Sequence, residues 1–272
     1  MVAPIILLFM SSISSERSLL VYGYSFVPKE FSLEAYEYIF SNAQTIFRAY
    51  GITILVTVIG SACNLILSSM TAYALSVRKL PFRNIISFYI FFTMLFNGGL
   101  VPSYLMWTSI FHIKNTIFAL IVPNFMLSAM NVILIRTYYS TSIPEALYEA
   151  AKIDGASYLY IFRKIVLPMG KPILVTMGLF SGLGYWNDWT NGLYYINDAK
   201  LYSIQNLLNK MIQDIQALQA NASASASSAI MQIPTVSVRM AIAFVALLPI
   251  LVIYPFLQKY FAEGIALGAV KG

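Results

Sequence analysis

The residue types that carry chemistry are scarce and widely spaced in this sequence. It has one histidine, His112, in a turn beside Lys114, and one cysteine, Cys63, inside an apolar run. A lone imidazole in that setting reads as a loop or interface residue. A single thiol excludes both an internal disulfide and a cysteine-based metal site. There is no Gly-rich phosphate loop of the Walker type, and no nucleophile–base set can be assembled. Proton relays place an acid or histidine in mid-membrane. Here Asp188 and Arg136 stand only at the ends of apolar runs, where interfacial anchoring accounts for them. ATP hydrolysis by this chain is excluded, and an intramembrane enzyme has no mechanism. A transport protein built this way needs an outside motor.

Two stretches remain that could recognise something. The first is the polar interruption from Thr141 to Pro168. Pro144 suits the first helical position, where its missing N–H costs nothing. Glu145 to Asp154 then reads as about three helical turns. Ala146, Leu147, Ala150 and Ala151 share one face, while Glu145, Glu149 and Lys152 share another. Gly155 permits the left-handed turn that ends a helix. A second helix, Ser157 to Val166, follows and stops before Pro168. Small alanines suit insertion into a groove, with the charges pairing across its rim. A solvated amphipathic loop helix fits the same spacing, and spacing alone leaves both readings open. The second stretch is Tyr185-Trp186-Asn187-Asp188-Trp189, whose rings could stack on sugars and whose Asn and Asp could bond hydroxyls. An interfacial aromatic belt fits it equally.

These stretches sit on apolar elements. Of the 272 residues, 59% are hydrophobic, 15% aromatic and only 10% charged. A soluble domain carries roughly 25% charged residues, so lipid is the solvent for most of this surface. A net charge of +6 reads here as topology rather than nucleic-acid binding, because the cations fall in short links. Expected spans are Ala49–Val77, Ile85–Ile110, Asn115–Ile135, Pro172–Trp189 and Val238–Leu257, each near the 20 residues a crossing needs. Met1–Met10 is too short to cross and lacks the pattern of a signal peptide; it reads as the outer end of a sixth span with an incomplete beginning, or as an interfacial stub. Asn97-Gly98-Gly99 and Pro102 interrupt the second span. Opened backbone at depth is tolerated only against protein or a water-filled cavity, so Asn97 marks a candidate cavity wall. Gly178-x-x-x-Gly182 fits close helix packing.

Arg78, Lys79 and Arg83 crowd one link. Lys152, Arg163, Lys164 and Lys171 lie in or just after the Thr141–Pro168 loop, and Lys259 and Lys271 lie in the tail. By the positive-inside rule these regions are cytoplasmic, as both termini then are. Segments 11–48, 111–114 and 190–237 lie on the other side. The last of these contains a Ser/Ala-rich stretch that reads as a helix with a mobile tip. The expected fold class is an all-α polytopic membrane bundle forming one transmembrane domain over 1–272. Within it are the cytoplasmic loop 141–168, the extracytoplasmic loop 190–237 and the cytoplasmic tail 258–272.

Glu149-Ala150-Ala151, then Asp154-Gly155-Ala156, then Phe162, Ile165 and Leu167-Pro168, resembles the EAA signature of the permease subunits of bacterial ABC importers. The tail Gly264 to Gly272 resembles the C-terminus of the smaller permease subunit of maltose-type carbohydrate importers. The likeness runs from Ala49 onward and is strongest to permeases for oligosaccharides and complex polysaccharides. It extends to the second permease of the alginate oligosaccharide importer. It implies the type I importer permease fold with six spans, in the inner membrane. Glu145, Glu149, Ala150, Ala151, Asp154, Gly155, Leu167 and Pro168 would form a coupling helix and its support, docked in a cleft of an ATP-binding subunit. Gly268, Val270, Lys271 and Gly272 would reach the ATPase interface, and Asn97 with Tyr185, Trp186, Asn187, Asp188 and Trp189 would line the substrate path. The implied partners are a second permease, two ATP-binding subunits, an extracytoplasmic solute-binding protein and membrane lipid, with no nucleic acid. This chain would hold no cofactor, ATP and Mg being bound by the partner ATPases. An acidic sugar is carried by the resemblance alone. The alternatives are an importer for a non-sugar solute and a stand-alone secondary transporter, against which the missing mid-span charges argue.

Overall fold

The structure, a computed structural model, describes residues 2–41, 43–123, 126–220 and 236–252. All regular structure among them is helical. In chain order the helices are α1 (Ala3–Ser12), α2 (Glu16–Tyr22), α3 (Glu34–Ser41), α4 (Ala43–Ser76), α5 (Arg83–Leu95), α6 (Leu100–Leu105), α7 (Phe118–Ile121) and α8 (Ala129–Ser142). There follow α9 (Glu145–Ile153), α10 (Tyr158–Ile161), α11 (Leu167–Met169), α12 (Lys171–Trp186), α13 (Thr190–Tyr195), α14 (Ile204–Ala220) and α15 (Val236–Val252). Wider π-helical turns extend α6 over Met106–Ile110 and join α10 to α11 over Phe162–Val166.

The longest apolar run gives the longest helix. α4 has 34 residues, no proline, and one charge, Arg48. Its hydroxyl side chains donate back to carbonyls four residues earlier, as Thr53 does to Ala49 O at 2.8 Å and Thr71 to Leu67 O at 2.7 Å. These hydroxyls are thereby satisfied without breaking the helix, whereas those of Thr57 and Ser68 are buried with no partner among the described residues. At 1.5 Å per residue it reaches about 50 Å, more than the roughly 30 Å of a hydrocarbon core. Among the described residues α4 alone is long and apolar enough to cross; two bent helix pairs raise the count to three if each is one crossing.

Two expected spans are not straight rods. Over 85–110 the helix opens at 96–99 and its axis turns by 111° between the flanking helices. Gly99 takes φ +91°, a conformation suited to glycine, and its N–H donates to Asn97 Oδ1 at 2.9 Å. The expected span 115–135 is not one helix. α7 has four residues, and Pro123, which has no N–H to donate, follows it. α8 then starts on a Ser128 cap and runs to Ser142, well past the expected end. Arg136, at the end of the apolar run, therefore lies inside α8. The helix after Ser157 does not stop before Pro168. It passes through it to Met169, because the π-helical turn carries the Leu167 N–H to Phe162 O, five residues back. That widening accommodates a ring that would otherwise clash one turn earlier. α12 follows after an 81° bend and ends at Trp186. α15 covers the described part of the expected Val238–Leu257 span, the rest lying outside the described residues.

The described residues divide into two compact units, one formed by those up to Thr53 and those from 188 to 252, the other by Ile54 to Asn187. In the first, Ala35, Ile39, Ile46 and Ala49 pack with Ile204, Val238, Ala241 and Ile242. Phe9 meets Phe244 with ring centres 4.9 Å apart. The carboxylate of Glu16 accepts from Val236 N at 2.9 Å, and from Ser237 N at 2.8 Å and Ser237 Oγ at 3.0 Å. An anion on the unsatisfied N–H groups of a helix start is a favourable pairing.

In the second unit, Tyr73, Val132, Ile135, Tyr139, Phe162, Val166 and Met177 form the core. A polar node lies among these apolar helices. Asn64 Oδ1 accepts from Asn131 Nδ2 at 2.7 Å and from Ser181 Oγ at 2.8 Å, and Asn131 Nδ2 also lies 2.9 Å from Ser181 Oγ. All three residues are buried, so α4, α8 and α12 are tied at one depth. Helix α12 also approaches α4 through small residues. A methyl at Gly178 would sit 2.9 Å from Leu65 Cδ1, so the expected close packing occurs there, while one at Gly182 would make an ordinary contact. Gly60 is tighter still, since any side chain would collide with the Tyr185 ring. Gly60→Leu is therefore expected to destabilise this unit by about 3 kcal/mol, the upper part of the overpacking range, read as a lower thermal midpoint of the full chain in detergent.

Candidate functional site

The site grows from a helix with a fixed start and stop. Pro144 stands just before α9 in extended conformation, not inside its first turn as expected, because its own carbonyl starts the helix by accepting Leu147 N at 3.1 Å. At the other end Gly155 takes φ +77°. Its N–H donates to Lys152 O at 3.1 Å, and Ala156 N–H donates to Ala151 O at 2.9 Å. These bonds satisfy carbonyls that a helix end would leave unpaired. Ser157 then caps α10, its Oγ accepting Tyr160 N at 3.2 Å. The chain therefore makes a defined elbow rather than a loose loop.

The two faces of α9 differ from the expected division. Tyr148 and Ala151 turn inward against the second unit's core. The Tyr148 ring stacks on Tyr73 at 6.3 Å, and Tyr73 stacks on Phe162 at 5.4 Å. This ladder joins α9 to the ends of α4 and α10. Burial pushes the Tyr148 phenol up from its usual range. Ala146, Leu147, Ala150, Asp154 and Gly155 face outward and are exposed, so Ala151 is separated from the alanines grouped with it. Ile153 is 86% exposed, and Tyr158, Leu159 and Tyr160 continue the same apolar surface past the elbow. Sequence reasoning missed these four. The signal available for Ile153 was its place beside Ala146, Leu147 and Ala150 once Tyr148 is turned inward. Glu145 pairs with Arg78 at 3.1 Å on the exposed rim. Leu167 is half-buried and Pro168 exposed. Behind them Gly170 carries the Tyr139 ring where a side chain would collide.

The residues expected along a substrate path divide by role. Tyr185 is buried and donates from its hydroxyl to Ile121 O at 2.8 Å, and Trp186 is buried beside it. Asp188 is buried, and its Oδ1 accepts Thr190 N at 3.0 Å and Asn191 N at 3.2 Å, holding the start of α13. Asn187, whose Nδ2 donates to Leu183 O at 2.9 Å, is exposed, as are Trp189 and Asn97. The five consecutive residues from Tyr185 thus do not present one common surface. Gly268, Val270, Lys271 and Gly272 lie outside the described residues. Among the described residues, no cluster of His, Cys, Asp or Glu could hold a metal.

Comparison with known proteins accords with the helical fold. Residues 64–267 match the family model of the binding-protein-dependent transport system inner membrane component. The chain is 38% identical over its whole length to the polygalacturonan/rhamnogalacturonan transport system permease protein YtcP of Bacillus subtilis, covering 93% of that protein. It is 36% identical over its whole length to protein LplC of the same organism, covering 90% of it. Among solved structures it superposes on a chain of a bacterial ABC transporter involved in the import of the acidic polysaccharide alginate. That match has a TM-score of 0.81 and 31% identity, and covers 96% of this chain and 90% of that one. With a family match over most of its length and relatives aligned end to end, this chain belongs to the inner membrane components of binding-protein-dependent transport systems.

Proposed function

We propose that this chain is one of two membrane-spanning subunits of an ATP-driven importer that moves acidic oligosaccharides into the cytoplasm. A binding protein outside would deliver the sugar, and two ATP-binding subunits inside would supply the work. The observation that carries the reading is the elbow at Gly155. It presents an exposed apolar face of Leu147, Ala150 and Ile153 on a helix whose other face is locked into the core by Tyr148 and Ala151. A surface mounted this way passes a rigid push from a soluble partner into packed helices, because close-packed interfaces shift between discrete arrangements rather than deform. Glu145, Glu149 and Asp154 rim that surface, and Leu167 and Pro168 brace it from behind.

In this reading the chain makes six crossings, with 141–168 and the tail 258–272 in the cytoplasm, both termini on that side, and 190–237 outside. The tail residues Gly268, Val270, Lys271 and Gly272 reach the ATPase interface. ATP and Mg are bound by the partners, and this chain holds neither. Exposed Asn97, Asn187 and Trp189 contribute to the sugar path, where Tyr185, Trp186 and Asp188 set the shape of the wall. The sugar class comes from relatives whose names specify polygalacturonan/rhamnogalacturonan and the acidic polysaccharide alginate.

The test is reconstitution of the full chain with its second permease, the ATPase and the binding protein in proteoliposomes, following labelled oligogalacturonate and alginate oligomers. Uptake of at least one is expected only with internal ATP. Equal uptake with the ATPase subunits left out would sink the proposal.

A further inference from the structure

Behind the elbow, on the side of α9 away from its exposed apolar face, the second unit holds a partly open cavity of about 380 Å³. Its walls are the end of α4, the link after it, the end of α8 and the inner side of α9. Two features set it apart from a packing gap. Tyr73 and Tyr139 line it, are 7% and 0% exposed, and among the described residues their hydroxyls find no hydrogen-bond partner. A buried phenol without a partner loses the free energy of an unmade hydrogen bond, so both favour a ligand that accepts.

The charge lining points the same way. Arg78, Lys79, Arg83 and Lys152 line the cavity against Glu145 and Glu149. The Arg78–Glu145 ion pair removes one of each. Three cations then face one acid, an excess of two positive charges. Among the described residues Lys79, Arg83 and Lys152 form no ion pair. Arg83 spends only its Nε, on Leu75 O at 2.8 Å. Its terminal nitrogens remain as donors in the planar arrangement that suits phosphate.

We propose that this cavity binds a phosphoryl anion, supplied by an anionic phospholipid headgroup of the leaflet beside α9. A phosphate diester accepts from Lys, Arg and phenol donors at once, matching both the unpartnered hydroxyls and the charge excess. Basic pockets between membrane helices on the cytoplasmic side take such headgroups. Bound there, the headgroup ties α4, α8 and α9 together beneath the coupling surface. The choice of lipid as the source rests on the proposed topology, which sets α9 at the cytoplasmic face; the anion site does not.

The test uses the full chain purified with its partner subunits in detergent, with retained lipid read by native mass spectrometry. The probes are dioleoylphosphatidylglycerol, dioleoylphosphatidylcholine as the uncharged comparison, and inorganic phosphate as competitor. Phosphatidylglycerol is expected to be retained roughly tenfold better than phosphatidylcholine, and Lys79→Gln with Lys152→Gln to lose roughly tenfold of that retention. Tyr139→Phe keeps the ring that packs on Gly170 and removes only the hydroxyl, so it reports on the site even if the double variant folds poorly; its expected loss is about threefold. Displacement of the lipid by millimolar phosphate would support the anion site with a soluble source, and no displacement would support the lipid. Equal retention of the two lipids, or undiminished phosphatidylglycerol on Tyr139→Phe and the double variant alike, would overturn the proposal. Loss of ATP-driven uptake with lipid retention intact would strike the importer reading alone and leave this site standing.

Discussion

Exchanging Glu149 for Lys together with Ala150 for Asp is expected to lower ATP-driven uptake at least ~100-fold while leaving the chain folded. Both side chains are exposed on α9, so the folded chain should change by no more than about 0.5 kcal/mol. In the docked state the cost is much larger. Ala150 lies on the face proposed to enter the ATPase cleft, and a carboxylate there must be stripped of water without a partner. Reversing the charge of Glu149 sets like charge against whatever paired with it. Each costs several kcal/mol at an interface, and every 1.4 kcal/mol is tenfold. ATP hydrolysis should continue without uptake, which separates lost coupling from lost assembly. Gly155→Pro probes the same elbow through its backbone, because proline cannot reach φ +77° and has no N–H for Lys152 O. Wild-type uptake in both variants would remove α9 as the coupling element.

Asn64→Leu is expected to cost about 2 kcal/mol of stability and to lower the thermal midpoint of the full chain by about 5 °C. Leucine keeps the branched shape and the number of side-chain heavy atoms, so it is the nearest apolar replacement. What is lost is the acceptor shared by Asn131 and Ser181. In membrane helices a single such bond averages only about 0.6 kcal/mol. Here one atom serves two donors, and without it Asn131 keeps only the Ser181 oxygen while the Ser181 hydroxyl loses the acceptor it had in the node. The informative companion is the triple replacement Asn64→Leu, Asn131→Leu and Ser181→Ala. Removing all three side chains removes the bonds they make to one another together with the groups that made them, so this variant should recover part of the loss. A triple variant less stable than Asn64→Leu alone would show that the side chains' shape, not their hydrogen bonds, holds the three helices.

What the sequence made legible follows from how local each signal is. The elbow was readable because proline, glycine and serine act on their own backbone. Pro144, Gly155 and Ser157 each fix a turn wherever the chain goes afterwards, although Pro144 precedes the helix rather than opening it. α4 was readable because 34 residues without proline leave one helical outcome. The division of α9 into faces was not, since whether Tyr148 or Leu147 turns inward depends on Tyr73 and Phe162, far off in sequence. The same holds for Asn64, Asn131 and Ser181, each unremarkable until three helices bring them together. Pro168 misled because a proline normally stops a helix, and only a widened turn, itself set by tertiary packing, lets the helix run through it.

The grip of Glu16 on Val236 and Ser237 also has a bearing on biosynthesis. The partners are 220 residues apart, so the carboxylate leaves the ribosome long before there is anything for it to hold. At about 5–20 residues per second the wait is some 10–40 s. Over that interval residues 54–187 can settle into their own unit, while the first helices wait for later partners still untranslated. The segments that hold Glu16 and Val236 are joined last, and a chain shortened before Val236 would keep residues 54–187 and lose the closure of its first helices.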